Sequence, residues 1–164
     1  MDSFQVFGVQ FAVSLLVYGL IARWYLSPRL AAATLPVALT PLLLQHALRT
    51  LGATLLVPGV VGSDVPRGFA EQVAYGDLLA ALLALLALWA VRSRWSIALL
   101  LVWLFNLEGF IDLLNALYVG IKLDVSHAML GAAWYIPTFV VPALLVTHLM
   151  MFSMLLRRGG ELRV

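Results

Sequence analysis

WSIALLLVWLFNLEGFIDLLNALYVGI, residues 95–121, decides the fold. As a helix rising about 1.5 Å per residue it is roughly 40 Å long, more than the roughly 30 Å of hydrocarbon in a bilayer. Of its side chains only Glu108 and Asp112 are charged. Four further apolar runs have comparable length: Phe4 to Leu26, Leu35 to Val57, Val73 to Val91 and Met129 to Leu156. The expected architecture is all-α, an integral membrane bundle of five transmembrane helices. It forms a single domain over residues 1–158, with a short frayed cytoplasmic tail over 159–164.

Composition agrees. Hydrophobic residues make up 63% of the chain and charged residues 11%, too few charges to cover a soluble surface. The absence of cysteine excludes disulfides, thiol catalysis and thiolate metal sites. The basic balance needs no nucleic-acid partner, because its arginines cluster at the ends of the apolar runs.

Those arginines fix an orientation. Arg23 and Arg29 follow the first run, Arg92 and Arg94 the third, and Arg157, Arg158 and Arg163 the fifth; the opposite end carries Asp2, Asp64, Glu71 and Asp124 against Arg67 and Lys122. The positive-inside rule then places the amino terminus outside and the carboxy terminus in the cytoplasm. The first run lacks a cationic leader and is expected to stay as an anchor. Short connections predict that sequential helices are antiparallel neighbours. The glycine- and proline-rich segment Pro58 to Gln72 reads as the longest loop.

Polar residues within the runs are the candidates for function. At 1.5 Å per residue, Arg49 and Glu108 fall at about 21 and 20 Å from the arginine-rich end. They are therefore expected to pair as the central charges of a site, because a lone charge at that depth costs at least about 2.5–3.5 kcal/mol. His46 lies one turn before Arg49. Glu108, Asp112 and Asn115 recur at i, i+4 and i+7 and form one stripe; Asp77 and Trp134 lie near the level of Asp112. Together these residues predict a polar cavity open to the outside, floored by Arg49 and Glu108. The competing reading is a buried pair that fixes helix register, with Trp134 and Tyr135 as interfacial aromatics.

Other motifs carry less. Pro36, Pro41 and His46 in the second run and Pro137, Pro142 and His148 in the fifth have the spacing of an inverted repeat, as in transporters with interrupted helices; independent proline kinks are the better account, the second histidine being one residue out of step. Ala74-Tyr75-Gly76-Asp77 lacks the threonine and first glycine of a potassium filter. No cofactor and no metal site is predicted, although His46 and His148, estimated at similar depth, offer a haem alternative. His127 reads as a loop residue, and no phosphate loop, nucleophile elbow or zinc-protease motif is present.

Through Pro58-Gly59-Val60-Val61-Gly62, Ala74 to Leu79, Asp112 to Ala116 and Ile136 through His148, the chain resembles uncharacterised small multi-pass inner-membrane proteins of bacteria. The resemblance implies inner-membrane placement and transfers no activity. The leading functional expectation is a small membrane protein that binds or conducts a small polar or ionic solute. The alternatives are an accessory or assembly subunit of a larger membrane complex, and a lipid- or isoprenoid-modifying enzyme using Glu108, Asp112 or His46 as acid and base. Expected partners are the lipid bilayer and either further copies of the chain or a larger membrane complex.

Overall fold

A computed structural model of the chain describes residues 1–162; Arg163, counted above with the arginine-rich end, lies outside the described residues. They contain helices and turns and no strand. Helix α1 spans Ser3–Ala31, α2 Leu35–Ala47, α3 Arg67–Arg92, α4 Ala98–Lys122 and α5 Gly131–Leu162. Four of them, α1, α3, α4 and α5, are long and apolar enough to cross a membrane. The second apolar run is divided: α2 gives way to a 3-10 turn over Leu48–Leu56, unusually long for that geometry.

α1 is opened by Asp2, whose carboxylate accepts from the Gln5 amide while the Gln5 side chain accepts from the Asp2 amide, a reciprocal cap that satisfies two of the helix's free donors. It widens through a π-helical turn at Ala22–Leu26. A second π turn, Ile136–Val140, opens the proline-bearing part of α5. Pro36 and Pro41 of α2 sit in regular α-helix, as does Pro142 of α5, so only Pro137 differs, lying in the π turn.

Buried alanines set the packing. Ala70, Ala74, Ala81, Ala84, Ala87 and Ala90 line one side of α3, a small-residue face that lets helices approach closely. That face receives α2 with its 3-10 turn and α4. Leu35, Leu39, Leu43, Val102, Phe105 and Met151 fill the resulting core in the half nearer the arginines. α5 closes the bundle against α2 and α4. α1 departs from the expected order of neighbours, because it packs on α5 rather than on α2. The face of α2 bearing Leu35, Ala38, Leu39, Leu42, Leu43 and His46 is already buried, and within Ser3–Ile21 α1 buries only Ser14.

Both ends are tied. At the loop end the Gly62 amide donates to Met129 O at 2.6 Å, and the Met129 amide donates to Asp64 Oδ2 at 2.9 Å. Gly131, at φ +54, lies so close to Val60 that a Cβ would stand 2.7 Å from its carbonyl oxygen. His127 stays in its loop, with Nδ1 at 2.6 Å from Asp124 Oδ1. At the arginine end Arg158 donates to the carbonyls of Leu30 and Ala33, and Glu161 accepts from the Leu35 amide at 2.7 Å. Gly159–Leu162 forms a turn whose Leu162 is buried, so these residues are docked and not frayed as the sequence suggests.

Candidate functional site

Asp77 and Asp112 each lie ten residues from the loop end of their helices, α3 beginning at Arg67 and α4 ending at Lys122. Both are therefore at the same level, roughly 15 Å in. Between them is Arg49, on the first turn of the 3-10 stretch. Its Nε donates to Asp77 Oδ1 at 2.7 Å, its Nη2 to Asp112 Oδ2 at 2.5 Å and its Nη1 to the Gly109 carbonyl at 3.0 Å; Nη2 also lies 2.7 Å from Asp77 Oδ1. The Arg49 side chain is wholly buried, and those of Asp77 and Asp112 are 9% and 15% exposed. The planar guanidinium fork thus ties three helical segments at one point.

The expected Arg49–Glu108 pair does not form. Uniform rise along α2 brings the two Cα atoms level, but an arginine side chain reaches a full turn, and the 3-10 stretch turns it further. Side chains on α4 lean toward its N-terminus, so the Asp112 carboxylate lies back over Gly109 and meets the guanidinium first. Glu108 remains one turn away, within electrostatic range of Arg49, Asp77 and Asp112, and its buried Oε2 has no hydrogen-bond partner.

Three glycines, one from each segment, make room for the cluster. A Cβ at Gly52 would collide with the Asp77 carboxylate, and one at Gly76 with the Asp112 carboxylate. One at Gly109 would stand 2.8 Å from Arg49 Nη1 and 2.9 Å from His148 Cε1. Gly52 and Gly76 escape a reading based on polar residues, since a glycine shows its role only when its neighbour is known.

Gly109 also links the cluster to a second polar layer. His46 and His148 are fully buried, with ring centroids 4.1 Å apart. The Thr147 hydroxyl lies 3.0 Å from the carbonyls of both Ala143 and Leu144, so toward His46 Nε2, also at 3.0 Å, it serves as acceptor. Asn106 Nδ2 donates to His148 O at 3.3 Å while its Oδ1 lies 2.7 Å from His148 Nδ1. These networks assign the protons to His46 Nε2 and His148 Nδ1. They leave His46 Nδ1 and His148 Nε2 buried without partners. Asn106 and Thr147 were outside the expected site; the signal for Thr147 was its place beside His148. Two histidines flanking a haem iron at about 2 Å per metal–nitrogen bond hold those nitrogens about 4 Å apart, with the ring centres farther still, which rings in contact do not reproduce.

Two expected members lie elsewhere. Asn115 is exposed. Trp134 turns toward α1, its Nε1 donating to Gln10 Oε1 at 2.6 Å and its ring meeting Phe7 edge-on. The space on the loop side of the cluster is not the polar cavity expected. It is an apolar cavity of about 80 Å³ bordered by Leu55, Val73, Ala116 and Val141, because Arg49 draws both aspartates inward. Among the described residues no group of three or more His, Asp or Glu side chains is arranged to hold a metal ion.

The sequence matches the family described as a domain of unknown function, DUF8737, over residues 6–156, and the chain belongs to that family. No curated protein and no solved structure matches it.

Proposed function

We propose that this family member is a multi-pass inner-membrane protein, its loop end outside, that binds a small cation, in the simplest case a proton, at Glu108 beside the Arg49 cluster. The supporting observation is a charge count. Asp77, Asp112 and Glu108 surround one arginine, and fully ionised they leave 1 − 3 = −2 charges in the bundle. Net charge at that depth is costly, and a cation or proton bound at Glu108 would halve it, to 1 − 2 = −1 for a single proton. Arg49 is committed to Asp77, Asp112 and Gly109 O. Glu108, with Oε2 unpartnered, is the carboxyl left to take up the additional charge.

A hydrophobic carbodiimide modifies protonated carboxyls in apolar surroundings and so tests this reading. Glu108 should be modified in native membranes, with labelling that falls as pH rises and disappears in Glu108→Gln. Labelling at Asp77 or Asp112 instead, or none at any pH, overturns it. A second reading, an accessory subunit of a larger complex, is favoured by the closure of the Arg49 set: every guanidinium nitrogen has an acceptor within the chain, as a register-fixing pair would.

A further inference from the structure

The apolar cavity near the loop end is bordered by Phe7 of α1, Leu55, Val73 of α3, Ala116 and Gly120 of α4 and Pro137 of α5. Of the residues lining it only Ser126 carries a polar side-chain atom. Val73 and Ala116 each stand six residues from the loop end of their helices, so the cavity runs about 9 Å inward. Along α3 and α4 its lining stops one helical turn short of Asp77 and Asp112, while on α5 it reaches Val141, which packs with Leu113.

Its mouth opens sideways. Phe4 and Ile121 both line the cavity, yet they are 48% and 60% exposed, and α1 is held by α5 and the Val125–His127 turn. The seam between α1 and α4 therefore lets the cavity communicate with whatever surrounds the bundle. An apolar hole does not hold water stably and takes apolar guests. In a bilayer, the apolar matter standing at that seam is hydrocarbon chain.

We infer that this cavity is a binding site for a short segment of one acyl chain of a membrane phospholipid, entering between α1 and α4 from the leaflet at the loop end. The inference rests on the membrane placement proposed above. It accounts for the peripheral position of α1, which walls the cavity without joining the alanine-lined core.

The test uses the full chain in phosphatidylethanolamine–phosphatidylglycerol vesicles containing a phospholipid with a diazirine near its chain end, followed by peptide mapping. Val73 and the Ala116–Gly120 stretch should be labelled together with the outward-facing Val13 and Leu16. Filling the cavity with Ala116→Phe, or with Gly120→Leu if the first variant does not fold, should abolish the label at Val73 and leave that at Val13 and Leu16. Label confined to Val13 and Leu16 in the unaltered protein, or label at Val73 that survives filling, overturns the site. A free diazirine alkane or a photoreactive polyprenyl phosphate that labels Val73 where the phospholipid does not overturns the assigned source. Absence of label even at Val13 and Leu16 refutes the membrane placement itself, which separates that failure from failure of the site.

Discussion

Replacing Arg49 by methionine keeps an unbranched apolar stem, two atoms shorter than arginine, while removing every polar contact the side chain makes. The change leaves Asp77 and Asp112, 9% and 15% exposed, facing each other without a cation. Stripping one partner from a buried ion pair costs about 3–5 kcal/mol in soluble interiors, and the lost bond to Gly109 O adds about 1 kcal/mol. The expected loss is about 4–6 kcal/mol, a large part of the stability of a typical domain. Removing the stranded charges as well, in Arg49→Met/Asp77→Asn/Asp112→Asn, should recover more than half of that loss. Glu108→Gln, which breaks no hydrogen bond of the structure, should stay within about 0.5 kcal/mol of the original. Titration from mild detergent into a denaturing one, followed by tryptophan fluorescence, orders the variants. If Glu108→Gln costs as much as Arg49→Met, or if the Arg49→Met and Asp77→Asn losses simply add, the three-way cluster is refuted and the Arg49–Glu108 pairing stands in its place.

Gly76→Ala and Gly52→Ala each push a methyl group into an aspartate carboxylate and should cost about 1–3 kcal/mol by overpacking. Gly8→Ala meets nothing within 4 Å and should be neutral or stabilising, so equal effects at all three in the same titration would show that the cluster has slack. Periplasmic phosphatase fused after Asp64 or Asp124 should be active and after Arg158 inactive, because the arginines gather at one end of the bundle; the opposite pattern reverses the orientation.

Four of the five apolar runs were legible as long helices because length and apolar content are one-dimensional properties, whereas the break of the second at Leu48 was not. The position of Asp77 was also written in the sequence, since it continues the alanine series Ala70, Ala74, Ala81 and Ala84 and so shares its buried side. Pairing was not legible. On α4 the buried residues Val102, Asn106, Gly109 and Leu113 define the face that meets other helices. Counting about 100° per residue from Gly109, Asp112 stands about 60° off, Glu108 about 100° and Asn115 about 120°. The i, i+4, i+7 stripe therefore runs along the flank of that face, and its members leave the interior in turn: Asp112 bonded, Glu108 half-buried without a partner, Asn115 exposed. A period identifies residues on one side of a helix, but which side is buried depends on where the neighbours stand.

The same angles separate stability from ligand binding. Asp77 and Asp112 are held by the guanidinium and confined by Gly52 and Gly76, so any exchange of charge there would disturb the junction of α2, α3 and α4. Glu108 hangs at the edge of that junction with an unused oxygen. It can gain or lose a proton without breaking a bond that the fold relies on. The expected consequence is a double dissociation: Asp77→Asn weakens the fold while Glu108 can still be modified by carbodiimide in the fraction that remains folded, and Glu108→Gln abolishes that modification without weakening the fold. Parallel loss of both properties in both variants would mean that the three carboxylates act as one unit, and the closed, register-fixing reading of the cluster would then be the better account.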